Sequence, residues 1–212
     1  MIGKEHFLTA LKELRKSEKR KFDHSVDFII NLKDYDFKKN PLNVSLTLPH
    51  PAKKIKICAF LENPTKVFDT VILGKDFNDL KENDLKRTVQ DCNFCIAVAK
   101  LMPEIAKRFG RILGPTGKMP DPKMGCVVMN ENEETLKKLS ASLQSIIKIR
   151  AKESSIKVMI GKESISDEDL SENAAIIYAT VFNALPKKKE NIKNVMVKFT
   201  MSKPIKIKEK EK

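Results

Sequence analysis

Tryptophan is absent from the 212 residues, and no apolar run approaches the roughly 18 residues that a membrane-crossing helix needs. The second absence excludes a helical membrane protein. The first leaves the cores to aliphatic side chains and phenylalanine, for which a hydrophobic content of 41% is sufficient. The opening MIGKEHFLTALKELRK has no apolar centre of signal-peptide type, so secretion is not expected. No internal repeat is visible. The three histidines, His6, His24 and His50, show no metal-ligand spacing, and no Ser/His/Asp or Cys/His set suggests catalysis. Cysteine is sparse as well: Cys58, Cys92, Cys95 and Cys126 all fall in the middle of the chain. Cys92 and Cys95 form a CxxC, half of a zinc site or a redox pair by spacing. Structural zinc normally takes two short-spaced ligand couples. Here Cys58 and Cys126 stand alone and CNFCIAVA reads as a buried strand, so these thiols are expected to pack a core in a reducing compartment. No metal and no cofactor are expected.

Positive charge is abundant. Forty-one Lys and Arg against 28 Asp and Glu give a net charge of +13, which favours nucleic acid or an anionic surface as partner. The excess is uneven. Residues 52–144 hold 16 basic and 12 acidic residues, a net of +4, while the two flanks together hold 25 and 16, a net of +9. The flanks are therefore the expected binding surface.

Periodicity divides the chain in the same places. Phe7, Leu8, Leu11 and Leu14 recur at helical spacing over residues 4–17. In SVDFIINL, Val26, Phe28, Ile30 and Leu32 alternate as a half-buried strand, and Val44, Leu46 and Leu48 do so in NVSLTLP. Pro49-His50-Pro51 then stiffens the chain as a hinge would. Beyond it, strands KIKICAF, DTVIL, NFCIAVA and CVVM alternate with helices in DFNDLKENDLKRTVQD, MPEIAKRF and EETLKKLSASLQSI, the rhythm of a parallel α/β unit. From Ile147 the antiparallel style returns in IIKIRAK and SIKVMIGK. A helix follows in DLSENAAIIYATVFNALP, with Ser171 or Asp169 as its expected cap, then strands NVMVKFT and KPIKIK. The pattern predicts an α/β segment inserted into an α+β domain built from both chain ends.

The run GRILGPTGKMPDP, from Gly110 to Pro122, holds three of the seven glycines and ends a glycine pair in Gly-Lys. A phosphate loop of the form GxxxxGK[ST] would need glycine at Ile112 and Ser or Thr at Met119, so the template fails twice. The dinucleotide fingerprint GxGxxG fails on spacing, and Pro115, Pro120 and Pro122 argue against a helix opening there. A nucleotide-binding α/β enzyme is thereby disfavoured.

Extended to GRILGPTGKMPDPKMG, the same run resembles the glycine-proline signature of the ribosomal protein L-one family, the proteins of the mobile stalk beside the exit site of the large subunit. KFDHSVDFIINL resembles that family's first RNA-facing strand and VKFTMSKPIKI its Thr-Met-Gly-Pro strand, so the resemblance covers nearly the whole chain. The short N-terminus and the GKMPDP variant look archaeal or eukaryotic. The resemblance implies an α+β two-domain fold: a discontinuous split β-α-β domain at residues 1–51 and 145–212, and an inserted Rossmann-like α/β domain at 52–144. It implies a non-enzymatic, cytoplasmic constituent of the large subunit. As a monomer within the ribosome, it would bind stalk-junction rRNA, assist release of deacylated exit-site tRNA, and repress its own mRNA. A free RNA-binding regulator of the same fold is the alternative.

Carried over by motif, the implied RNA contacts are Lys21, Phe22, Ser25 and Asp27 in KFDHSVD, and Thr200, Met201 and Ser202 in VKFTMS. Asn194 lies just upstream, and Lys157 falls on a further strand. RNA helices are recognised largely through phosphates, 2′-hydroxyls and shape. Ser25 and Thr200 would donate and accept, and Asp27 would accept from 2′-hydroxyls. Phe22 and Met201 would exclude water, and Lys21 would supply a salt-dependent phosphate contact. Without the resemblance, Phe22 and Met201 would default to core packing, and Asp27 and Lys21 to a solvated face. Ser202 departs from the family's glycine. Gly110, Gly114 and Gly117 would shape an exposed turn, with Arg111 and Lys118 available to RNA.

Overall fold

A computed structural model describes residues 3–16, 22–36, 40, 42–80, 82–151 and 153–207. Its helices are α1 (Lys4–Arg15), α2 (Glu82–Asp91), α3 (Met102–Thr116), α4 (Glu133–Gln144) and α5 (Asp167–Ala184). The strands are β1 (Ser25–Leu32), β2 (Leu42–Thr47), β3 (Ile57–Leu61), β4 (Thr70–Leu73), β5 (Phe94–Val98), β6 (Val127–Val128), β7 (Ile146–Ala151), β8 (Ser155–Lys162), β9 (Ile192–Phe199) and β10 (Ile205–Lys206). The chain forms two compact units, Met1–Lys53 with Ser145–Lys212, and Lys54–Gln144.

The first unit rests on an antiparallel sheet in the order β10-β9-β1-β8. Alternation sends Val26, Phe28, Ile30 and Leu32 of β1 to one face, beside Ile156, Val158 and Ile160 of β8 and Val195, Val197 and Phe199 of β9. Phe7, Leu11 and Leu14 of α1 and Leu170, Ile177 and Val181 of α5 close over that face. Each such side chain contributes about 1.5–3 kcal/mol on burial. Phe7 meets Phe28 edge-on at 5.6 Å and Tyr178 at 6.2 Å. The pair β2 and β7 adds Leu42, Leu46 and Ile149 to the same core. Gly161 lets α5 approach the sheet, since a Cβ there would lie 2.5 Å from Leu170 Cδ2. Arg15, at the end of α1, binds Asp167 and the carbonyls of Glu163 and Ile165.

Helix α5 starts one turn earlier than its apolar pattern suggests. Its cap is Ser166, whose Oγ accepts from Asp169 N at 3.2 Å, with Asp167, Glu168 and Asp169 in the first turn. Ser171 and Asp169 lie inside the helix. The periodicity marks only the first buried residue, Leu170, whereas the cap is set by the exposed turn before it.

The second unit has a parallel sheet in the order β4-β3-β5-β6, with β3 and β5 buried throughout. Phe60, Phe77 and Phe109 pack at centroid distances of 6.0, 6.1 and 5.3 Å. The glycine-proline run does not form the expected exposed turn. Helix α3 continues through Gly110, Gly114 and Pro115 to Thr116. Ile105, Phe109, Ile112 and Leu113 make a buried stripe along it, and that burial outweighs the roughly 1 kcal/mol that each interior glycine costs. Pro115 is tolerated because only the last turn lacks its N–H. Gly117, at φ 66°, ends the helix: its N–H donates to Gly114 O and that of Lys118 to Leu113 O, a Schellman closure. Lys118 Nζ donates to the carbonyls of Val89 and Gln90 at the end of α2, an engagement within the unit rather than the expected availability to RNA.

Candidate nucleic-acid interface

The sheet face opposite α1 and α5 is built from the other strand parity. It carries Ser25, Asp27, Ile29 and Asn31 from β1, Ser155, Lys157 and Met159 from β8, and Asn194, Met196 and Lys198 from β9. Register aligns them in rows: Lys198, Asp27 and Met159; then Met196, Ile29 and Lys157; then Asn194, Asn31 and Ser155. On β10, Lys206 stands beside Met196.

The near end of this face joins the two distant motifs. Thr200 donates to Ser25 O through both its backbone N, at 3.1 Å, and its Oγ1, at 3.2 Å. Met201 follows at the tip of the β9–β10 turn and is 60% exposed. Phe22 is 54% exposed, and its ring lies over the 4% exposed His24 with centroids 4.1 Å apart. His24 in turn stacks on Phe199 at 5.8 Å. The segment is pinned from behind, because His24 O accepts from Glu163 N at 2.7 Å and the Asp23 carboxylate accepts from Ser164 N and Oγ. Two apolar side chains are thus held out into solvent by a rigid base.

Ser202 has a local task. Its N–H donates to Phe199 O at 3.0 Å, and its hydroxyl accepts from Phe199 N at 2.9 Å, closing the turn. Among the described non-glycine residues only Asp34 and Lys188 have positive φ, so this turn makes no conformational demand for glycine at 202. Burial pushes the Asp27 carboxyl above its ordinary value, and the Lys198 ammonium beside it offsets only part of that rise. A partly desolvated acceptor results, ready for a hydroxyl donor.

Six of the expected residues therefore gather at one end: Phe22, Ser25, Asp27, Thr200, Met201 and Ser202. Lys157 and Asn194 share the face but lie further along it, opposite Ile29 and Asn31. Lys21 lies outside the described residues. Ile29, Asn31, Met159, Met196 and Lys198 belong to the face and were not singled out from sequence. The period-two step from Asp27 to Ile29 and Asn31 is the signal that finds them. Short polar groups at both ends, thioether and aliphatic groups between, and lysines along the flanks match what a helical RNA offers through hydroxyls, shape and phosphates.

The cysteines are buried in the second unit, and no group of three metal-ligating residues occurs among the described residues. Hydrogen bonding to Cys92 and Cys95, together with burial, pushes the Cys58 thiol far up, and the Cys58 S–H draws Cys92 down to about 7. No helix among the described residues is long and apolar enough to cross a membrane.

Comparison with known proteins points the same way. The model of the ribosomal protein L1p/L10e family matches residues 14–203. The large ribosomal subunit protein uL1 of Nanoarchaeum equitans is 34% identical over 206 residues, covering 93% of this chain and 97% of its own. Its counterpart in Cenarchaeum symbiosum is 30% identical over 97% of both chains. That of Thermoplasma volcanium is 34% identical over 90% of both.

Proposed function

Since the chain belongs to the ribosomal protein L1p/L10e family, a family of ribosomal proteins and not of enzymes, we propose that it is a constituent of the large ribosomal subunit that binds rRNA of the mobile stalk through the open face of its antiparallel sheet. One observation carries this reading: Thr200 is bonded to Ser25, which brings the two RNA-facing motifs into one surface. Phe22 and Met201 stand exposed beside them. Ser25 exchanges hydrogen bonds with a 2′-hydroxyl, Thr200 accepts from one while its own hydroxyl donates to Ser25 O, Asp27 accepts another, and Phe22 and Met201 cover these contacts and exclude water. Asn194 adds an amide, Lys157 and Lys21 meet phosphates, and Ser202 shapes the turn. Residues 1–51 and 145–212 act as the RNA-binding domain, and 52–144 as an inserted Rossmann-like domain. The flanks' net charge of +9 against +4 supports that division. Placed on the cytoplasmic ribosome in this way, the chain assists release of deacylated exit-site tRNA with the moving stalk, and it represses its own mRNA where that message mimics the rRNA site.

The test is binding of the purified chain to an rRNA fragment carrying the stalk junction, at two salt concentrations, against an unrelated duplex of equal length. Tight binding that survives competitor and higher salt supports a specific site. Equal collapse for both RNAs would mean that only the +13 charge is at work, and the reading would be withdrawn.

A further inference from the structure

The far end of the open face holds an arrangement of which the motif carry-over uses one half, Asn194, and not its partner Asn31. Asn31 Nδ2 donates to Asn194 Oδ1 at 2.7 Å, between central strand β1 and its neighbour β9. Both side chains are half-buried on the same face as Asp27, and Ser155 flanks Asn31 from β8. An amide offers two N–H donors and one carbonyl acceptor. The mutual bond uses one Asn31 donor and one lone pair of Asn194. It leaves the Asn31 carbonyl as an acceptor and the Asn194 amide as a donor, side by side and fixed by the sheet. A 2′-hydroxyl is both donor and acceptor, so it fits between them, whereas a phosphate can use only the donor. Six residues of strand separate Asn31 from Ser25, roughly 20 Å at about 3.3 Å per residue. Between the two ends lie Met159, Met196 and Ile29, the last only 8% exposed, with Lys157 and Lys206 beside them.

The geometry points to the Asn31–Asn194 amide pair as a second RNA contact, roughly 20 Å from the Ser25–Thr200 end, that recognises a 2′-hydroxyl. The inference rests on the open face being the RNA surface. It adds that recognition is bipartite: two short polar clusters read ribose hydroxyls at separate points, and the apolar row between them seals against the groove. Asn31 has two roles here. It offers its own carbonyl, and it orients the Asn194 amide through the 2.7 Å bond.

The experiment uses the full chain, the stalk-junction fragment, and copies of that fragment carrying a single 2′-deoxy substitution walked along it. Asn31→Ala and Asn194→Ala are each expected to weaken binding about five- to tenfold, the loss for one or two neutral hydrogen bonds. The double variant should lose little more than either single one, and the salt slope should not move. One deoxy position should weaken the parent chain by a similar factor yet cost Asn31→Ala nothing further. Asn31→Asp keeps a bond to the Asn194 amide and guards against a folding artefact; it should melt like the parent and bind worse. If Asn31→Ala binds like the parent, or if no deoxy position couples to it, the inference is overturned. Thr200→Ala separates the two claims: binding lost there but kept in Asn31→Ala sinks only this inference. A parent chain with no preference for the stalk fragment sinks the functional reading and this inference with it.

Discussion

Replacing Phe22 and Met201 together by alanine tests how the near end of the interface works. Phe22 is 54% and Met201 60% exposed, so the free protein leaves most of both side chains in water. With roughly 200 Å² per large side chain, about 110 Å² of each is available for RNA to cover. At about 25 cal/mol per Å², full coverage of both amounts to at most about 5.5 kcal/mol. Alanine keeps Cβ, and a flat groove does not reach every atom, so about 2–3 kcal/mol is expected to disappear. That corresponds to a Kd for the stalk fragment raised about 30- to 150-fold. No charge is removed, so the slope of log K against log salt should stay as it was, while Lys157→Gln should flatten it by up to about one unit. Fluorescence anisotropy over a salt series reads both quantities. The double variant should melt close to the parent, since neither residue belongs to the core. If it instead flattened the slope, or weakened an unrelated duplex equally, the idea of an apolar seal over short polar contacts would be wrong.

Asp27→Asn should weaken stalk binding roughly tenfold or more, because a charged acceptor is lost. It should also stabilise the free protein at neutral pH. The folded carboxyl titrates above its unfolded value, so ionisation is penalised in the native state and stability falls as pH rises from the ordinary aspartate value to the raised one. Melts of parent and variant should therefore converge in acid and separate near neutrality; parallel pH profiles would contradict the assignment. Asn173→Ala removes an amide that donates to His50 O and Ile160 O, both at 2.9 Å, and accepts from His50 N. Unfolding should become easier by about 3 kcal/mol in urea, and a loss under 1 kcal/mol would show the site rehydrating cheaply. Ser202→Gly forfeits the acceptor for Phe199 N and should cost about 1 kcal/mol of stability while leaving RNA affinity within about twofold. A tenfold gain in affinity would mean that the family's glycine works by close approach.

Much of the architecture is legible in local pattern. The alternation of Val26, Phe28, Ile30 and Leu32 marks β1 to its ends, because a strand buried on one face has no other way to arrange its side chains. The failure of the phosphate-loop template at Ile112 and Met119 is equally local, as are the charge asymmetry and the family motifs. Local pattern misleads where burial overrides propensity. Three glycines and three prolines read as a turn, yet Phe109, Ile112 and Leu113 keep α3 helical to Thr116 because the second unit's core takes them in. Lys118 read as free for RNA and is held by the carbonyls of Val89 and Gln90.

The sequence by itself pointed to a polyanionic partner, nucleic acid or an anionic surface, through +13 of charge, and to most of the strands and helices, through their hydrophobic periods. Only the tertiary structure decided what one RNA would meet at once. Ser25 and Thr200 are 175 positions apart and become neighbours through an antiparallel pairing that no local signal encodes. Asn31 finds Asn194 by the same pairing, 163 positions away. Strand register is a long-range property, set by which apolar faces close against α1 and α5. The open face inherits its rows from that hidden packing.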